Sequence, residues 1–133
     1  MRHIKQRHKT DCGIACVAMI AGVPYATAKK LFKANPDGKW LTETDDLKRA
    51  LGHFGITTEV RFRRLPATDA KRWKEVLRRT GRVALVRSPV RPSDNTYHWR
   101  VYDPVKDRVL DPRQKNINTS AMHASSYLVV HTG

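Results

Sequence analysis

Residues Ile14 to Ala21 are apolar on every face. A segment with no polar side must be enclosed by protein all round, so the rest of the chain has to fold around this one. Its alanine content and the stop at Gly22 favour a helix. Asp11 stands where an N-cap would be. Eight residues are far too few to cross a bilayer. A chain of 133 residues buries roughly two-thirds of its extended surface on folding, enough for one core. The expectation is a single domain over residues 1–133, with this helix at its centre.

The remaining pattern supplies the packing elements. Val23-Pro24 opens a second helix to about Lys33, with Ala28, Leu31 and Phe32 as its inner stripe. Asn35-Pro36-Asp37-Gly38 is a turn by composition. Thr42, with Asp45 three residues on, caps a third helix to about Phe54, and Gly55 stops it. Leu47, Ala50, Leu51 and Phe54 form its buried face. Ile56 to Phe62 alternates as a strand does. Asp69 starts a helix to about Thr80, with Trp73, Val76 and Leu77 inward. Strands follow over Arg82–Arg87, Tyr97–Tyr102, Arg108–Leu110 and Ser126–His131, the middle two joined by a turn over 103–107. Helices first and a mostly antiparallel sheet after make an α+β fold.

Composition narrows the class. Lys plus Arg is 26 and Asp plus Glu is 12, a formal charge of +14. Yet 40% of residues are hydrophobic, too many for a disordered basic tail. Met1-Arg2-His3-Ile4-Lys5 is basic, but polar residues follow, so no secretory signal is read and a cytoplasmic setting is expected. Cys12 and Cys16 lie one helical turn apart, poorly placed for a disulfide, and read as thiols. Cys16, between Ala15 and Val17, reads as a buried apolar residue.

Cys12 differs, because polar Thr10-Asp11 precedes it and Gly13 follows. A free thiol is only a few per cent ionised at neutral pH. A helix N-terminus stabilises the anion through its unpaired N–H groups and dipole. Gly13 would let a substrate backbone approach. Thiol chemistry also needs a histidine and a group to orient it. Six histidines are present. His98 begins a strand directly after a loop, a common place for a catalytic residue. The antiparallel return from Arg108 brings Asp111 back beside His98. Asp103, the other Asp-Pro, belongs to the turn and falls far from His98 in a regular hairpin.

The run Gln6-Arg7-His8-Lys9-Thr10-Asp11-Cys12-Gly13-Ile14-Ala15-Cys16 resembles the opening of the bacteriocin-processing, double-glycine leader peptidases, which are papain-like cysteine proteases. The order of the third helix, His98 and Asp111-Pro112 is similar too. The resemblance implies a papain-like fold in which Cys12 is the nucleophile, His98 the base and acid, and Asp111 the group that orients His98. It implies that the Gln6 amide helps form the oxyanion hole with the Cys12 N–H. It implies a peptide substrate with small residues such as Gly-Gly before the scissile bond, no cofactor, and a separate peptide exporter as partner. Ile14 departs from the family's usual Pro or Leu, and the interval from His98 to Asp111 is short, which requires a tight hairpin.

The positive charge concentrates in residues 61–91, which hold eleven basic and two acidic residues. On the helix there, Lys71, Lys74 and Arg78 recur at near-helical spacing; with Arg64 they make a candidate surface for an anionic partner. A basic binding module for nucleic acid or an acidic protein, and a non-hydrolytic acyl transferase, are therefore the alternatives to a peptidase. His3, His8, Cys12 and Cys16 are zinc-type ligands, but their spacing fits no standard finger, and no metal is expected.

Overall fold

A computed structural model describes residues 1–65, 70–114 and 124–131. The elements in chain order are α1 (Cys12–Ala21), α2 (Tyr25–Lys29), α3 (Thr44–His53), β1 (Thr57–Thr58), β2 (Arg63–Arg64), α4 (Ala70–Thr80), β3 (Ala84–Arg87), β4 (Trp99–Asp103), β5 (Arg108–Leu110) and β6 (Ser126–His131). They form an α+β fold around an antiparallel sheet of order β1-β6-β3-β4-β5, with β2 also on β6. No helix among the described residues is long and apolar enough to cross a membrane.

The all-apolar run is a helix, and every residue from Cys12 to Ile20 is buried. Gly22 ends it in the left-handed conformation, at φ 68°, which a glycine adopts at no steric cost. Three neighbours enclose α1. α2 and α3 bring Tyr25, Ala28, Leu47, Ala50 and Leu51; the sheet brings Leu85, Trp99, Val101, Leu110, Leu128 and Val130. The alternate residues of the same strands, Ala84, Val86, Tyr102, Val109, Tyr127 and Val129, face the other way and pack with Trp73 and Leu77 of α4. The period-two alternation of the strands thus separates two helical layers.

Several boundaries differ from the sequence reading. α2 is shorter than expected and ends at Lys29. α3 starts at Thr44, not after a Thr42 cap; the Glu43 N–H donates to the Asp46 carboxylate at 2.9 Å instead. The expected strand over Ile56–Phe62 is broken. β1 pairs Thr57 with His131 and Thr58 with Val130, while β2 pairs Arg63 with Tyr127 and Arg64 with Ser126. Glu59 to Phe62 therefore faces only Leu128 and Val129, so the chain bulges. The bulge leaves Val60 84% exposed. Past it the Phe62 ring lies 5.9 Å from that of Trp99. The Asp69 helix start lies outside the described residues.

Candidate active site

Cys12 is the first residue of α1. Its Sγ accepts a hydrogen bond from the Trp99 N–H at 3.4 Å, so the thiol sits against the start of β4, at the amide that directly follows His98. Trp99 is itself held firmly. It is 1% exposed, its indole N–H donates to the Thr42 carbonyl at 3.5 Å, and the Tyr97 ring lies edge-on at 5.3 Å.

The hairpin supplies the second half of the site. Its register pairs Val101 with Leu110, which continues to Arg100 opposite Asp111. His98 Nε2 lies 2.7 Å from Asp111 Oδ1. Arg100 Nε donates to Asp111 Oδ2 at 2.8 Å, and the Arg113 N–H donates to Oδ1 at 2.8 Å. Burial alone would raise the Asp111 carboxyl, but the hydrogen bonds from His98, Arg113 and Arg100 outweigh it and bring it down to about 2. Asp111 is therefore a carboxylate and can only accept. It follows that Nε2 of His98 carries the proton and Nδ1 the lone pair. Nδ1 is buried and has no hydrogen-bond partner among the described residues.

The protonation states differ from the sequence expectation at Cys12. Burial pushes its thiol above the usual 9.0, against the lowering effect of the Trp99 N–H, the Arg113 charge and the Gly13 N–H. Burial likewise draws His98 below 6.5, against the raising effect of Asp111. Both directions favour a neutral thiol beside a neutral imidazole at neutral pH over a thiolate–imidazolium pair. Cys16 is 0% exposed, and burial raises its thiol much further.

Gly13 also has a different reason. A Cβ on Gly13 would collide with Thr42 Oγ1 and lie 2.9 Å from Leu47 Cδ2. The glycine admits the chain before α3, not a substrate backbone. Asp11 does not cap α1 with its side chain. Its fully buried carboxylate turns back and accepts from the N–H groups of Arg7 (3.0 Å) and His8 (2.9 Å) and from the Tyr25 hydroxyl. It thereby fixes the loop that carries Gln6.

Gln6 reaches the site through its backbone, whose N–H donates to the Pro112 carbonyl at 2.8 Å. One hydrogen of its side-chain Nε2 goes to the His8 carbonyl at 2.8 Å, and the amide carries a second. Nearby, His3 Nε2 donates to the Asp111 carbonyl at 2.7 Å, tying the N-terminal segment to the end of β5. Asp103 stands at the far end of β4. That places it five residues from His98, or roughly 17 Å along the strand. Its Oδ1 accepts from the Val105 N–H at 3.0 Å, and its Oδ2 lies 3.6 Å from the Met1 ammonium.

The other histidines serve elsewhere. His8 stacks on Trp40 at 6.1 Å, His53 packs edge-on against Phe54, and His131 Nδ1 lies 3.2 Å from Arg82. His123 lies outside the described residues. Arg100 is the member of the site that sequence reasoning missed. The signal was the hairpin register, which sets a residue two beyond His98 directly across from Asp111.

A cleft crosses the site in two wings that share Arg91, Tyr97 and Arg113. The wing over Cys12 has a volume of about 110 Å³, and the wing over His98 about 330 Å³. None of the described α4 residues lines either. Of the proposed anionic-partner surface, Arg64 is exposed and Lys74 half-buried. Arg78 is taken by Asp107 in an ion pair at 2.9 Å, and the Lys71 side chain lies outside the described part. No protein-family model matches the chain, and neither does any curated protein.

Proposed function

We propose that this chain is a cysteine peptidase of papain-like architecture, with machinery similar to that of the double-glycine leader peptidases. One observation carries the reading: the Cys12 thiol rests on the backbone amide next to His98, and His98 is oriented by the Asp111 carboxylate with its basic Nδ1 left unpaired among the described residues. A structural histidine would have both ring nitrogens satisfied or solvated; a general base needs one free.

The chemistry follows from that arrangement. Cys12 Sγ bonds to the carbonyl carbon of a peptide while its proton passes to His98 Nδ1. The Asp111 carboxylate stabilises the imidazolium that forms. The carbonyl oxygen becomes an oxyanion. The Cys12 backbone N–H, which has no intrahelical partner at a helix start, is the donor available to it, and by the resemblance the second Gln6 amide hydrogen would join it. The C–N bond then breaks, and the leaving amine takes the proton from Nδ1. Water attacks the thioester, giving its proton to His98 and then to the departing Sγ. The product is a free carboxylic acid, and the thiol is restored.

The narrow wing favours small residues beside the thiol. Its volume is about 110 Å³. An apolar cavity that accepts a benzene ring measures roughly 150 Å³. A wing of that size admits glycine beside the thiol and leaves little room for a second bulky group. The test is to incubate the protein with a pool of Gly-Gly-containing peptides and to label its thiols with iodoacetamide at pH 7. Hydrolysis lost in Cys12→Ala, with Cys12 alkylated faster than Cys16, supports the reading. A Cys12→Ala variant that still hydrolyses the pool contradicts it.

A further inference from the structure

The two wings of the cleft differ in chemistry. Beside Cys12 stand Lys9, Lys39, Arg91 and Arg113, with Asp94 as the one acid. Asp94 is already engaged: its carboxylate pairs with Arg91 at 3.0 Å and accepts from the Thr96 hydroxyl at 2.6 Å. Lys9, Lys39 and Arg113 are exposed, and their side chains have no ion-pair or hydrogen-bond partner among the described residues. Arg63 pairs with Glu59 and Arg78 with Asp107, whereas these three cations stand together at the cleft with no such acid among the described residues. Three uncompensated cations converging on a concave wall focus a positive field where a substrate must pass. Beyond His98 the wall carries an apolar strip of Pro89, Val90 and Pro92, with Val90 49% exposed, beside Arg91, Arg100 and Arg113.

We infer that the cleft selects peptides carrying a carboxylate side chain on one side of the small residues at the scissile bond and an apolar side chain on the other. Lys9, Lys39 and Arg113 receive the carboxylate. Pro89, Val90 and Pro92 receive the apolar group. This substrate class rests on the peptidase reading. It uses the charge at the cleft itself and none of the basic stripe on α4. An acidic peptide fits better than a nucleic acid, because the aromatic ring that lines both wings, Tyr97, already carries the Arg87 guanidinium over it at 5.2 Å and packs against Trp99, which leaves it poorly placed to stack on a base.

The experiment uses fluorescent peptides with a central Gly-Gly, Leu on one side and Glu, Gln or Lys on the other, in both orders. Binding is measured by anisotropy to the full chain carrying Cys12→Ala, and kcat/KM is measured with the unmodified chain. In at least one order the Glu peptide should bind about 3- to 10-fold tighter than the Gln peptide at low salt, and the Lys peptide weaker still. Added salt should erase the difference. Lys39→Glu, on an exposed turn away from Asp111, and Arg113→Glu should each shrink the preference for Glu over Lys, and the two together, which leave Lys9 against two carboxylates, should reverse it. Circular dichroism checks that each variant folds.

Equal binding of the three peptides overturns the inference. So does a short single-stranded oligonucleotide that displaces the Glu peptide at lower concentration than the Glu peptide competes for itself. Hydrolysis of all three at equal kcat/KM overturns it while leaving the peptidase standing. The ranking in binding without turnover of any peptide keeps the cleft's preference and removes the peptidase.

Discussion

The two faces of the sheet carry helices of opposite character. α1 is buried on all sides, wrapped by α2, α3 and one face of the sheet. α4 lies on the other face, touches the core through Trp73 and Leu77, and turns charged residues outward. The candidate site belongs wholly to the first region. Its thiol, imidazole and carboxylate are 7%, 6% and 2% exposed, and the hydrogen bonds that orient them come from backbone N–H groups, from one another and from the half-buried Arg100. The second region holds much of the charge, yet Arg78 is engaged by Asp107. Net charge therefore describes how this surface is solvated, whereas position at a helix start and in a hairpin register describes where chemistry can happen.

That contrast can be broken at several points. The largest effect is expected from Asp111→Asn, which removes the carboxylate that sets the His98 tautomer and also breaks the ion pair with Arg100. It should lower kcat/KM about 10²- to 10⁴-fold, read with a cleavable Gly-Gly peptide.

The pH profile comes next. Burial lowers His98 below 6.5, so its basic form persists as pH falls past that value. kcat/KM should stay level down to pH 6.5 and then fall about tenfold per pH unit once Nδ1 is protonated. Because burial raises the Cys12 thiol above 9.0, thiol ionisation produces no second acid limb between pH 6 and 8. A rise in rate that tracks thiolate formation near pH 5 would show a preformed ion pair instead.

Gly13→Ala is smaller and acts on stability. The added methyl collides with Thr42 Oγ1, and the chain before α3 must move. About 1–3 kcal/mol of destabilisation is expected in urea denaturation. The smallest effect is expected on α4. Arg78→Ala breaks an exposed ion pair and should leave both kcat/KM and the thermal midpoint close to those of the unmodified chain. A large loss of turnover there would erase the distinction between the layers.

Much of this was legible in the sequence, for physical reasons that differ by element. Ile14–Ala21 had one solution, because a segment apolar on every face must be central. β5 and β6 have the bounds read from alternation and turn residues. Asp111 could be placed beside His98 because antiparallel register is arithmetic. The bulge over 59–62 could not be read, since alternation looks the same in a continuous strand and in two short ones. Gly13 was misread because the residue it accommodates, Thr42, is distant in sequence. The direction of the Cys12 shift was missed for a related reason. A helix start is visible in sequence, but the burial that outweighs it comes from the sheet.

The most direct test is a single-turnover experiment on the His98→Ala variant beside the unmodified chain. Each is mixed with a Gly-Gly peptide, quenched in acid and examined by intact-mass spectrometry. The unmodified chain should show an acyl adduct on Cys12 and then free acid product. His98→Ala, with unchanged circular dichroism, should show neither. Product formed at the same rate by both chains would contradict the role given to His98, and with it the account of the site.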